Sequence, residues 1–200
     1  MNIGILTGGG DCPGLNAVLR AVVRRAEVSG HRVVGFRDAW KGLLDGDYEE
    51  LTVANVRGLL PKGGTILGTT RGSPFDFADG VERTAKRFRD MNLDALIVVG
   101  GNGSLTVGSL LHKQAGLPIV GVPKTIDNDI VGTDVSFGFH TAVQVATDAI
   151  DRLHTTAESH DRVMVVEVMG RDAGWIALTA GVAGGATVIL VPERPFDIDR

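Results

Sequence analysis

Ile3-Gly4-Ile5-Leu6-Thr7 is a short, largely β-branched run that stops at three glycines, and the pattern predicts a buried strand. Behind it Leu15, Val18, Leu19, Val22 and Ala26 recur at three- and four-residue intervals. That period predicts a helix from about Asn16, with Arg20, Arg24 and Arg25 mostly off the apolar face. His31–Arg37 reads as a second strand. Val81, Ala85, Phe88 and Met91 space another helix, which runs into a strand at Ala95–Val99. A helix after Gly103 and a strand at Ile119–Val122 follow. The next helix runs from roughly His140 to Thr155, with Ala142, Val143, Ala146, Ile150 and Leu153 inward. Strands are predicted at Val163–Val168 and Thr187–Val191, with one more helix between them. Ala39 to Arg71 holds no single period, although "PKGGTILGTTR" reads as a Gly-opened strand or turn ending on an arginine.

Strand-period and helix-period segments that alternate in this way predict an α/β fold: an open, mainly parallel sheet flanked by helices. The alternation halts at Arg200, just after "VPERPFDID". That ending carries no cap or tail, and it is read here as a truncated chain whose second lobe is incomplete.

Composition narrows the function. A net charge of −4, with both signs interleaved, leaves no basic stripe for nucleic acid or an anionic membrane surface. Any anion must therefore be caught locally. No apolar run approaches the about 20 residues that span a bilayer, and the N-terminus has no secretory pattern. The single cysteine, Cys12, excludes an intramolecular disulfide framework and suits a reducing compartment, so the expected location is the cytoplasm. The 28 glycines cluster at 8–10, 63–64, 100–103 and 184–185, as punctuation between elements.

Ligands of open α/β sheets bind beyond the carboxyl ends of the strands, and four unusual segments fall there: "GGGDCPG" (8–14), "GGNGS" (100–104), "PKTIDND" (123–129) and "MGRDAG" (169–174). Glycine lets backbone N–H groups approach phosphate oxygens, and the following helix start adds about half a positive charge. Tight strand-to-helix turns need glycine anyway, but two such loops favour phosphate binding. Neither is a dinucleotide fingerprint, since Thr106 stands where the third glycine belongs, and "GLPIVGVPKT" is too long for a triphosphate loop. Asp127, Asp129 and Asp134 cluster in one loop beside Lys124 and Thr125. Opposite two phosphate loops, such carboxylates suit a general base and a metal-linked group, with Asp127 the best base candidate. Arg71, Arg162 and Arg171 lie near loops or strand ends, where guanidinium forks suit phosphate. His140, His154 and His160 lack metal-ligand spacing, and Cys12 reads as a small residue in a tight loop.

"GGGDCPGLN", "GGTILGTTR", "VVGGNGS", "PKTIDND", "GFHTA", "AIDRL" and "VVEVMGR", in this order, resemble the 6-phosphofructokinases from Met1 to about Pro192. The resemblance implies a two-lobe fold, with 1–138 as the phosphoryl-donor lobe and 139–200 as the start of the sugar-phosphate lobe. It implies transfer of the γ-phosphoryl of ATP to the 1-hydroxyl of fructose 6-phosphate, with Mg2+, in a homodimer or homotetramer. Carried over by position, Gly10, Arg71, Gly72, Gly101, Asn102, Gly103 and Ser104 would hold the donor. Thr125, Ile126 and Asp127 would face the sugar, with Asp127 taking the hydroxyl proton. Arg171, with Met169 and Gly170, would lie against the substrate and the transferring phosphoryl group, so the resemblance implies Asp127, Arg171 and Thr125 as the catalytic set, and Arg162 would reach the 6-phosphate across a subunit boundary.

Donor choice divides two positions. Pyrophosphate-using relatives typically carry Asp where this chain has Gly103, and the smaller residue favours ATP. Lys124 is typical of the pyrophosphate users and pulls the other way, so a pyrophosphate-dependent enzyme is the alternative, as is a catalytically impaired nucleotide-binding fragment. Asn102 stands where the family places an acidic magnesium ligand, and Asp129 would reach the metal through water. His154 and Val53 replace arginines that bind effector in well-known bacterial members, so allosteric control does not transfer.

Overall fold

The structure is a computed structural model that describes residues 1–197. The chain divides into two compact units, Met1–Lys124 and Thr125–Arg200.

The first unit holds β1 (Asn2–Thr7), α1 (Leu15–Val28), β2 (Arg32–Phe36), α2 (Trp40–Asp45), β3 (Tyr48–Leu51), α3 (Gly80–Asp90), β4 (Ala95–Gly100), α4 (Asn102–Ala115) and β5 (Ile119–Thr125). Its strands lie in the order β3-β2-β1-β4-β5. β1 pairs in parallel with β2 and β4, β4 in parallel with β5, and β3 runs antiparallel to β2 at the edge. This short edge is rich in charge: Arg32 meets Glu50 at 3.0 Å and Arg37 meets Glu49 at 3.3 Å.

Alternating side chains along a strand serve opposite faces, and two cores result. Ile5, Val33 and Val99 pack beneath Leu15, Leu19 and Val23 of α1. Leu6, Val34, Phe36, Leu96 and Val98 face the other way, against Leu43 of α2, Phe88 of α3 and Leu111 of α4. Helices thus cover both faces, as the near-continuous apolar runs of β1 and β4 require.

The second unit contains β6 (Phe137–Gly138), α5 (Phe139–His160) and α6 (Trp175–Ala183). Phe139 and Ala146 of α5 pack on Ile176 and Ala180 of α6, with Ala142, Val143 and Ile150 partly buried at the seam. Beyond α6 the backbone comes close: a Cβ on Gly184 would lie 2.8 Å from Cγ2 of Ile150. There His154 Nε2 sits 2.6 Å from Gly184 O, and it is the donor because a carbonyl only accepts.

Most elements follow the sequence pattern, with differences at three places. α2 and β3 arise in the segment where no period was visible; six and four residues are too few to display one. "GGTILGTTR" takes the turn of the two expected alternatives and forms no strand. The segments at 163–168 and 187–191 form no ladder among the described residues. Their alternation is that of a strand, but strand structure needs a paired neighbour, and Val163 and Val165 are 92% and 90% exposed.

Candidate functional site

In the first unit the chain leaves β1 toward β2 on one side, while β4 adds on the other. The two carboxyl ends at this reversal form the crevice where open α/β sheets bind ligands. The loops that leave β1 and β4 are the two glycine loops. Gly8 N donates to Val99 O at 2.9 Å, which locks them together. Ser104 fills the gap: a Cβ on Gly8 would lie 2.5 Å from its Oγ, and one on Gly100 2.5 Å from its Cβ. Both glycines are therefore needed for this approach.

α4 starts at Asn102, with Gly101 as its N-cap and no side-chain cap, so its positive end faces the crevice. Gly10 and Gly103 mark the open side, since a Cβ on either meets nothing within 4 Å. Lys124 is 4% exposed, and its Nζ donates to Gly10 O at 2.6 Å. Its positive charge stands behind the glycine loop, not out in solvent.

A strap of irregular backbone from Lys62 to Gly72 completes this crevice. Asn16 of α1, buried at 3% exposure, donates through Nδ2 to Lys62 O and Gly63 O at 3.1 Å each and accepts from Ile66 N at 2.9 Å. Thr7 Oγ1 donates to Gly68 O at 2.9 Å, Thr69 Oγ1 to Gly9 O at 2.6 Å, and Thr70 Oγ1 to Asp38 O at 2.9 Å. The strap delivers Arg71 and Gly72, both exposed, to the wall of a cleft of about 510 Å³. Trp40, Lys41, Phe77 and Arg83 line the same cleft. Trp40 is 3% exposed, and its buried Nε1 has no hydrogen-bond partner. Lys41 is exposed, and its hydrogen bond to Asp45 holds its ammonium above the usual lysine range. Sequence patterning missed Trp40 and the threonines; the one signal was three hydroxyl residues in "GTILGTT" running up to an arginine.

The second unit opens on Thr125, the last residue of β5, followed by Ile126, Asp127 and Asp129 in one loop. Asp127 N donates to Thr125 Oγ1 at 3.1 Å, Ile126 is tucked against the apolar seam of α5 and α6, and Asp129 is exposed. The loop closes on itself through Asn128 and Ser136. Ser136 Oγ donates to Thr125 O at 2.7 Å, Ser136 N to Asn128 Oδ1 at 2.8 Å, and Asn128 Nδ2 to Asp134 O at 3.2 Å. Met169, Gly170 and Arg171 form a separate turn, closed by Ala173 N on Gly170 O at 2.8 Å. Gly170 has φ 142° and Arg171 φ 51°, and the exposed Arg171 lies 3.3 Å from Asp172. Arg162, also exposed, follows α5 directly, its N–H on Ala157 O.

Among the described residues no group of three or more His, Cys, Asp or Glu could hold a metal ion. No helix of the described residues is long and apolar enough to cross a membrane.

Residues 2–200 match the family model "Phosphofructokinase". The chain belongs to the phosphofructokinase family. It is 62% identical over 201 residues to the ATP-dependent 6-phosphofructokinase 3 of Streptomyces coelicolor, covering all of this chain and 59% of that protein. It is 57% identical, with the same coverage, to a pyrophosphate–fructose 6-phosphate 1-phosphotransferase of Streptomyces coelicolor. The phosphofructokinase structure from Saccharomyces cerevisiae superposes with a TM-score of 0.91 at 38% identity, over 96% of this chain and 29% of that one. The family fold is the expected α/β arrangement, and the chain spans about 59% of the length of these curated relatives.

Proposed function

We propose that this chain is the donor-binding part of an ATP-dependent 6-phosphofructokinase, which transfers the γ-phosphoryl of ATP to the 1-hydroxyl of fructose 6-phosphate. The observation that carries the reading is the cleft of about 510 Å³ beside Arg71 and Gly72. It adjoins a crevice of two glycine loops suited to phosphates, and it gives a base and ribose room and a partly apolar wall. Pyrophosphate has no group to fill such a cleft. Gly103, open on its outer side, supports the same donor.

In the reaction the sugar 1-oxygen attacks the γ-phosphorus, the bond from that phosphorus to the β–γ bridging oxygen breaks, ADP departs, and the hydroxyl proton passes to Asp127. The glycine loops, the start of α4, Lys124 and Arg71 bind the phosphates. Thr125 and Ile126 flank the sugar, Arg171 with Met169 and Gly170 lies against the substrate and the transferring phosphoryl group, and Arg162 reaches the 6-phosphate. Phosphoryl transfer is mostly positioning and charge neutralisation, and Mg2+ on the donor phosphates would supply part of the latter. Asn102 is the family's metal position, and Asp129 is assigned a contact through water. The working protein is proposed to be a cytoplasmic homodimer or homotetramer.

Pyrophosphate is the second reading, favoured by Lys124 and by the 57% identical relative. The full-length protein, given fructose 6-phosphate and Mg2+, is expected to turn over with ATP; turnover with pyrophosphate alone sinks the donor assignment. Asp127→Ala is expected to lose several orders of magnitude in kcat, and a loss of only a few-fold removes it as the base.

A further inference from the structure

The base assigned above sits on a loop, and a loop needs something to fix it. We infer that Asn128 and Ser136 are positioning residues: together they clasp the 125–136 loop so that Thr125 and Asp127 are held in a single geometry for proton transfer. The inference rests on the proposed role of Asp127.

Asp127 lies between two anchored points. On one side the carbonyl of Thr125 is held by Ser136 Oγ at 2.7 Å, and the Thr125 hydroxyl receives the Asp127 N–H at 3.1 Å. On the other side Asn128 takes a left-handed conformation, φ 53°, which turns the chain immediately after the carboxylate. Asparagine tolerates that region and, unlike glycine, brings an amide with it. Both ends of that amide are used across the loop: Oδ1 accepts from Ser136 N at 2.8 Å and Nδ2 donates to Asp134 O at 3.2 Å. Ser136 Oγ is also 3.2 Å from Asn128 Oδ1.

The clasp residue Ser136 is 2% exposed, whereas Val131 in the middle of the loop is 99% exposed. Packing of Ile126 on the α5–α6 seam anchors only that one side chain; the clasp ties the backbone at the loop's base. A reacting group must be held to within about 0.5 Å, and misplacement by about 1 Å costs on the order of 100-fold in rate. A base on a solvated loop meets that demand only if its flanking backbone is fixed, and the Asn128–Ser136 pair fixes it on both sides.

The test uses the full-length protein and five variants, four single and one double. Asn128→Gly keeps the left-handed turn and removes the amide. It is expected to lower kcat on the order of 10- to 100-fold, with KM for ATP and for fructose 6-phosphate each within about threefold. Ser136→Ala should behave alike, and Ser136→Thr, which keeps the hydroxyl, should recover most of the rate. In an Asp127→Ala background, Asn128→Gly should cost nothing further, because a residue acting through the base has no effect once the base is gone. Wild-type kcat in Asn128→Gly, or an equal loss with and without Asp127, overturns the inference. If Asn128→Gly does not fold, the Ser136→Ala and Ser136→Thr pair reads the same clasp: equal loss in both overturns it. Asp127→Ala is measured alone in the same series. A near-normal rate there removes the base, and the clasp falls with it. A large loss there with a silent Asn128→Gly removes the clasp only.

Discussion

At Gly103 a single substitution pulls helix stability and the proposed donor site apart. Gly103 occupies the first turn of α4, where glycine is among the poorest helix formers and a carboxylate is favoured by the helix dipole. Its outer side is open, so an added side chain meets no protein atom at Cβ. Gly103→Asp is therefore expected to raise stability by about 0.5–1 kcal/mol while lowering the rate with ATP tenfold or more, since the new charge points where donor phosphates would lie. A thermal melt and an ATP titration on the same sample check both halves, and unchanged ATP turnover would remove Gly103 from the donor argument. Gly103, Asn102 and Asp127 could be nominated from the sequence because each sits in a short contiguous motif. Asn128 and Ser136 could not, as their bond spans eight residues and depends on a backbone turn that spacing does not reveal. Trp40 was hidden for a related reason: its place on the cleft wall follows from Asp38 and Ala39, two successive non-glycine residues at φ 53° and 60°.

At the level of elements, the strap from Lys62 to Gly72 shows how irregular backbone is made definite. It has no ladder of its own; Asn16 bonds Lys62 O, Gly63 O and Ile66 N, Thr7 bonds Gly68 O, Thr65 Oγ1 accepts from Leu67 N, and Thr69 ties the strap to Gly9 O. Thr69→Val keeps the shape and removes the bond to Gly9 O. That leaves a carbonyl without its partner and frees the strap from the loop after β1, at a cost of about 1–3 kcal/mol. KM for ATP is expected to rise severalfold while KM for fructose 6-phosphate stays put; equal changes in both would mean the bond supports the fold alone. A strap held this way is invisible to periodicity, because side-chain-to-backbone bonds obey no fixed spacing. Residues 163–168 fail in the opposite sense: the alternation is clear, but a strand is a property of two segments, and a one-dimensional pattern describes only one.

Across the whole molecule, the parallel core was readable because β1 and β4 are buried on both faces and show it as unbroken apolar runs. Strand order was not readable, since nothing local specifies whether β4 adds beside β1 or beside β2. That choice creates the crevice by bringing together loops more than ninety positions apart. It also leaves β3 at the rim with one side of its backbone unpaired. An open row of amides and carbonyls is a template for another chain, and proteins blunt it with short strands and charge. Here the strand has four residues, with Glu49 and Glu50 at its centre. The hydrogen bond from Arg32 holds the Glu50 carboxyl below its usual range, so that charge survives acidification until the pH falls through the lowered value. Replacing both acids, Glu49→Val with Glu50→Val, is expected to yield concentration-dependent species larger than the wild type by light scattering; an unchanged size distribution would assign solubility to some other feature. Tyr48–Leu51, the edge strand, is thus expected to act as a guard against fibre-like stacking of a sheet whose candidate ligand crevice lies at its central strands.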